Sequence, residues 1–309
     1  MVVYNPHCIF DYSYFGQMLF RVYFKGGYIR EQDKAEILHH LGENPYVVAI
    51  YELNGEFDLA IELEASNPSR FNKELKKVSS LIPSLNTFKV VLNVVTHIYP
   101  HTYLVKNLNY FSNVGNIDQE IIVGGDRQIE TFNSYEMRVM KCLIKEPRLR
   151  LSSLAKQAGV NIKTAISILK NLRKRKIIKG FKYMLDTNKL GAFKFRLFLT
   201  LHNISQEREE EMLKYLLHIK EVVQVNKTIG DWNLEIDIEA LDKSTIKHLI
   251  SQMREEFKEI IAYFNIIEFY QYYQRSFLPS YLFEEYEKTV SLQPVPEILP
   301  DFGEEKEEK

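Results

Sequence analysis

The chain has 309 residues, 45% hydrophobic and 26% charged, with a formal net charge of −1. That composition supports buried cores in two or three domains. It holds no apolar run of roughly 18 residues to span a membrane and no basic-then-apolar secretory signal, so a cytoplasmic location is expected. Cys8 and Cys142 are the only cysteines, which excludes a disulfide framework or a CxxC pair and points to two reduced thiols.

Residues 1–13 precede a first domain over 14–105. Within it, residues 20–24 are aromatic and β-branched and predict a strand. In residues 34–41, Ala35, Ile37, Leu38 and Leu41 fall on one helix face. Residues 47–53 predict a second strand, and Asn54-Gly55 is a hairpin signal leading into a third. There Phe57, Leu59, Ile61 and Leu63 face one way and Asp58, Ala60, Glu62 and Glu64 the other. A second helix over 72–81 and a fourth strand over 88–98 complete the order βαββαβ, the split ferredoxin-like unit.

Residues 106–132 are polar, contain Gly115, Gly124 and Gly125, and read as a linker. From Asn133 the pattern turns helical. Asn133 and Glu136 fit a capping box, and Val139, Met140, Leu143 and Ile144 supply an apolar stripe. "SSLAKQ" predicts a short helix, "AGV" a tight turn at Gly159, and a longer helix starts at Asn161. Residues 133–186 therefore predict a winged helix-turn-helix. On the third helix Ile162, Ala165, Ile166, Leu169 and Leu172 share an arc expected to be core. Lys163, Thr164, Ser167, Lys170, Asn171 and Lys174 share the opposite arc. "RKRKIIKGFKYML" then predicts a basic strand pair, the wing. The small net charge conceals a concentration here: residues 148–182 hold eleven Lys or Arg and no Asp or Glu, the footprint of a polyanion-binding region.

Residues 187–283 repeat the first domain at an offset of 175 positions. "GEFDLAIELEA" returns as "GDWNLEIDIEA", Gly16 falls on Gly191 and Arg21 on Arg196. Two long copies mean a duplicated domain rather than a solenoid. Residues 1–13 align by the same offset with 176–188 and read as the remnant of a wing or linker. Residues 284–309 carry nine acids against three lysines and read as a disordered acidic tail, expected as a solvated end, with competition with DNA for the basic helix as the lesser alternative.

The expected fold class is thus α+β, with two ferredoxin-like βαββαβ domains flanking a winged helix-turn-helix. This order resembles the leucine-responsive/asparagine-operon (Lrp/AsnC) regulators of bacteria and archaea. The resemblance is carried by "LAKQAGVNIKTAISILKNLRKRKIIKGF", by Leu190-Gly191 and by the repeated Gly-x-aromatic phrase. It implies a DNA-binding transcription regulator, modulated by oligomerisation and by a small-molecule effector, an amino acid in much of that family. The DNA contacts it implies are Asn161, Lys163, Thr164, Ser167, Lys170, Asn171, Arg173, Lys174 and Lys179. Ser167 and Ile168 stand where many relatives carry an Arg pair, so phosphate contacts are expected to outweigh base readout. Ligand contacts are expected at Gly55, Asp58, Gly230, Asp231 and Asn233. The glycines admit a ligand or a neighbouring backbone, and the polar side chains suit an ammonium or carboxylate. No metal and no cofactor is expected.

The two domains are expected to pair within one chain, as the family's two subunits do. One DNA reader per chain then requires a second chain on a two-fold operator, giving a homo-oligomer or a hetero-oligomer with related regulators. The acidic strand faces (Glu62, Glu64, Glu235, Asp237 and Glu239) are expected to meet Arg21, Arg196 or Lys89. Siroheme decarboxylases share this architecture, including fused tandem forms, so fold alone leaves catalysis open. Their histidine-, tyrosine- and arginine-bearing motifs are not matched by "GEFD" or "GDWN". His97 and His101 would lie about 13 Å apart on a strand. There is no phosphate loop, GxSxG or HExxH. The chain is therefore expected not to be an enzyme; the alternatives are a regulator partner that no longer binds DNA alone and a siroheme-decarboxylase-like enzyme on the same architecture.

Overall fold

The computed structural model describes residues 3–26, 31–81, 87–105, 120–202, 205–284 and 286. The chain opens with β1 (Val3–Phe10) and a 3-10 turn, Tyr12–Phe15. The first copy follows as β2 (Met18–Lys25), α1 (Glu31–Glu43), β3 (Val47–Asn54), β4 (Leu59–Ala65), α2 (Pro68–Leu81) and β5 (Thr87–Ile98). Between the copies lie β6 (Ile121–Gly124), α3 (Ser134–Lys145), α4 (Leu151–Ala158), α5 (Ile162–Lys174), β7 (Ile178–Leu185) and α6 (Thr187–Leu190). The second copy is β8 (Phe193–Leu201), α7 (Gln206–Leu217), β9 (Val222–Ile229), β10 (Leu234–Ala240), α8 (Lys243–Glu256) and β11 (Ile261–Arg275).

The protein is mixed α+β, and its antiparallel strands close on themselves. The order is β2-β4-β3-β11-β8-β10-β9-β5, and β5 pairs back onto β2. Each copy lends its second strand to the other copy's fourth: β3 pairs with β11, and β9 with β5. The result is an eight-stranded barrel shared equally by the two copies. Closure removes the exposed edges that each half alone would present.

Strand alternation sorts the side chains. Phe20, Val22, Phe24, Ile61 and Leu63 face outward and pack under α1 and α2 through Ile37, Leu41, Phe71 and Leu75. Leu197, Leu199, Ile236 and Ile238 do the same with Met212, Leu216, Ile246 and Met253. The inward positions take the charges and one aromatic cluster. Phe57 departs from the expected alternation: β4 starts at Leu59, and Phe57 turns into the aromatic cluster with Tyr23, Phe198 and Trp232.

Three expectations about the connecting regions change. The basic segment after α5 forms one strand, β7, not a pair; its partner is β1. Residues 3–10 are thus an ordered strand rather than a remnant. In this pair His7 stands opposite Lys182, its own counterpart at the 175-residue offset, so the two-fold relation of the repeat passes between them. The expected linker over 106–132 lies outside the described residues up to 119, and Ile121–Gly124 extends the sheet beside β5. The acidic tail lies outside the described residues beyond Tyr286. Asp11 ties these pieces together. It accepts hydrogen bonds from Ser13 Oγ at 2.6 Å and from the Gly124 amide at 2.9 Å, and pairs with Lys179 at 3.1 Å.

Asn133 caps α3, and Glu136 closes the reciprocal bond of a capping box. Glu136 also accepts from Arg175 at 2.8 Å, fixing the end of α5 against α3. Met137, Met140, Leu143, Leu154, Ile168 and Leu172 form one core with Phe10, Leu19 and Ile98 of the barrel end.

Candidate functional site

Asn161 caps α5 by accepting from the Thr164 amide at 2.8 Å. Lys163, Ser167, Lys170, Arg173 and Lys174 are exposed and Thr164 is half-buried. None of the four cations in that set has an ion pair among the described residues. The buried arc is centred on Ala165, Ile168 and Leu172, which corrects the expected core. Ile162 lies about 80° around the helix from Leu172 at ~100° per residue and is 48% exposed. Ile168 is buried, so of the two positions flagged as altered relative to relatives only Ser167 faces outward.

Two expected DNA contacts have partners within the chain. Lys179 is only 11% exposed and neutralises Asp11. Asn171 donates to Glu136 at 3.3 Å, at the margin of the arc.

The repeated phrase is explained by contacts between the copies. Gly55 (φ 135°) and Gly230 (φ 147°) have backbone that L side chains rarely adopt. A Cβ on Gly230 would lie 2.8 Å from the Val90 carbonyl of β5, and one on Gly55 3.3 Å from the Ile267 side chain of β11. What comes close to each glycine is the other copy's fourth strand. Asp58 accepts from the Gly26 amide at 2.8 Å, and Asn233 from the Leu201 amide at 2.8 Å. Both pin the hairpin to the end of its own copy's first strand, so the Asp-to-Asn difference is neutral to the task. Asp231 is exposed beside it.

Inside the barrel Glu62, Glu235 and Asp237 meet Arg21 and Arg196 as expected, whereas among the described residues Glu64 and Glu239 pair with neither arginine. Arg21 Nε donates to Glu62 at 2.6 Å, and Arg21 Nη1 reaches Glu235 of the other copy. Arg196 Nε donates to Asp237 at 2.6 Å, and its Nη1 to the Tyr23 hydroxyl at 2.7 Å. Tyr23 in turn donates to Glu235 at 2.7 Å. Burial opposes ionisation of Asp237, yet Arg196 and Lys194 hold its carboxyl down at about 2. Lys89 differs from expectation: it lies outside this network, 3.4 Å from Glu56. The network carries charge-assisted bonds between the copies.

At one end of the barrel, β1 and β7 lie across a cluster that sequence reasoning missed: His7, Lys182, Lys194, Glu239 and Arg275, with His101 beside them. Glu239 receives Lys194 at 3.1 Å, His101 at 3.2 Å and the Tyr103 hydroxyl at 2.9 Å. His97 does not join it; its Nδ1 is 2.5 Å from Glu120. The one available signal was the 175-residue offset relating His7 to Lys182.

No family model matches the chain. Regulatory protein AsnC of Haemophilus influenzae is 26% identical over 110 residues, covering 36% of this chain and 73% of that protein. The siroheme decarboxylase NirDL has a similar structure over 94% of this chain and 84% of its own, with a TM-score of 0.56 and 14% identity. Its co-complex with an iron-uroporphyrin III analogue gives 0.57 at 15% identity, over 94% and 85%. The chain is therefore similar to Lrp/AsnC-type regulators, and its overall fold is like that of an enzyme. The expectation that the chain is not an enzyme is corrected by this whole-chain likeness. Among the described residues no helix is long and apolar enough to cross a membrane.

Proposed function

We propose that the chain is a DNA-binding regulator of the Lrp/AsnC type. In this reading α3–α5 with the β1–β7 pair act as a winged helix-turn-helix, and the duplicated barrel stands in for the contact between two subunits. The observation that carries it is the outer arc of α5. Lys163, Lys170 and Lys174 are exposed there, unpaired among the described residues, on a helix whose opposite arc is sealed into the core. Such an arc suits a major groove and its flanking phosphates. One reader per chain implies that two chains meet a two-fold operator.

The test is fluorescence anisotropy with the chain's own upstream DNA across a salt series, beside a Lys170→Ala/Lys174→Ala variant. Removing one lysine–phosphate pair reduces the slope of log K on log salt by about 0.9, so the double variant is expected to lower it by nearly two units. Absence of binding by the unaltered chain at every salt concentration overturns the reading. Light scattering at the same concentrations is expected to show at least two chains per particle.

A second reading, a decarboxylase acting on a siroheme-like tetrapyrrole, is favoured by the whole-chain likeness to NirDL. Incubation with siroheme, followed by mass spectrometry for loss of carboxyl groups, tests it; unchanged siroheme removes it.

A further inference from the structure

The regulator reading does not use the cavity beneath β1 and β7. Its volume is about 30 Å³, room for about two waters. Tyr183, Met184, Leu185 and Phe277 complete its lining. Its charges do not balance. Glu239 is fully engaged by Lys194, His101 and Tyr103, and Lys194 is shared with Asp237 at 3.6 Å. That leaves Lys182 and Arg275. Neither has a carboxylate within ion-pairing distance among the described residues. Arg275 has only a 3.3 Å bond to the Gln224 side chain and the ring of Phe277. Lys182 is partly buried with no described hydrogen bond.

The repeat shows that this cluster is not a requirement of the fold. Strand register places Leu19 where the second copy has Lys194, and Ile98 where it has Arg275. The barrel closes at the first copy's end with apolar side chains in those positions. A buried ammonium without a paired carboxylate, as at Lys182, costs stability. Arg275 is balanced at longer range by Glu62 and Asp237 but keeps donors free of any direct carboxylate among the described residues. An anion between the two offsets the cost at Lys182.

We propose that this cavity holds the carboxylate of a small organic acid, seated between the Lys182 ammonium and the Arg275 guanidinium. Two flat oxygens match the donors of both groups, and the small volume suits a planar head better than a tetrahedral oxyanion. The apolar part of the lining, Met184, Leu185 and Phe277, accepts a short aliphatic body. The site involves no DNA contact, so it stands or falls apart from the regulator reading.

The experiment is isothermal titration calorimetry on the full chain at pH 6, where Lys182 is charged, and at low chloride, with acetate, propionate, butyrate and hexanoate, and with inorganic phosphate as the tetrahedral probe. At least one carboxylate is expected to bind, and Lys182→Met and Arg275→Gln are each expected to weaken it about tenfold or more. Lys182→Met is also expected to melt no lower than the unaltered chain, because it removes an unpaired cation; this separates a binding defect from a folding defect. Phosphate binding in preference to every carboxylate, no carboxylate binding at all, or unchanged affinity in a folded Lys182→Met chain overturns the proposal.

Discussion

Glu64 and Glu239 are the same residue in the same place of two copies, yet they are held in opposite states. Each is buried, at 2% and 3% exposure, and each faces inward near the end of its copy's third strand. Glu64 stands opposite Leu19, and Glu239 opposite Lys194. Burial, with Glu62 and Asp11 adding to it, pushes the Glu64 carboxyl well above its ordinary range. Its Oε2 has no hydrogen-bond partner among the described residues. Burial acts on Glu239 too, but Lys194, then His101 and Lys182, outweigh it and hold the carboxyl well below that range. The backbone position is equivalent; the neighbour decides the charge. A duplicated domain can therefore keep its fold while one copy turns a structural position into a charged site.

The largest effect expected from this contrast is on stability at neutral pH. Glu239→Gln leaves Lys194 short of a partner and the cavity with cations in excess, and is expected to cost about 3–5 kcal/mol in urea unfolding. Glu64→Gln replaces a neutral acid by its neutral amide, and is expected to stay within about 1 kcal/mol or to stabilise. Equal losses from the two substitutions would break the comparison.

Much of the barrel was legible because its signals are local. The alternation of Leu59, Ile61 and Leu63, the Asn54-Gly55 hairpin and the Asn133/Glu136 capping box each act over a few residues. The pairing of the copies was expected on another ground, the resemblance of the duplicated unit to a two-subunit family. The recurrence of Arg21 as Arg196, with acids that recur beside them, did not by itself disclose it, because which side chains meet across the copies is set by the strand register. The cavity was hidden because its members come from β1, β7, β8, β10 and β11, with no short spacing to link them. Its asymmetry is carried by Leu19 and Ile98, which look like ordinary core residues until the register sets them against Lys194 and Arg275. The wing was misread because the partner of β7 lies more than 160 positions away in β1, and strand pairing over that distance leaves no local mark.

An intermediate effect separates the glycines of the repeated phrase. Both have positive φ, so alanine is strained at either, at about 1–3 kcal/mol. The clash differs. On Gly230 the new carbon meets the fixed carbonyl of Val90 at 2.8 Å, whereas on Gly55 it meets the movable Ile267 side chain at 3.3 Å. Gly230→Ala is therefore expected to lose about 1–2 kcal/mol more than Gly55→Ala in thermal unfolding. A larger loss at Gly55 would show that the two crossed strand contacts differ from the geometry seen here.

The smallest effect distinguishes His7 from Lys182, the facing pair that the repeat relates. Burial first, then Lys194 and Arg275, brings the Lys182 ammonium from 10.5 down to about 7. Burial first, then Arg275, brings His7 from 6.5 down to about 4. Each folded value lies below the unfolded one, so in each window the unfolded chain binds a proton that the folded chain does not. Stability then rises with pH across both windows: from about 4 to 6.5 for His7, and from about 7 to 10.5 for Lys182. Around Lys182 in the upper window, Asp237 and Glu239 are already ionised and His7 already neutral, while Lys194, held above its ordinary value, and Arg275 keep their protons. A Lys182→Met chain is thus expected to lose most of the rise in urea midpoint between pH 7 and 10, while a His7→Gln chain keeps it and loses the lower one. A variant that titrates like the unaltered chain between pH 7 and 10 would mean that Lys182 keeps its proton in the folded state, with an anion already beside it.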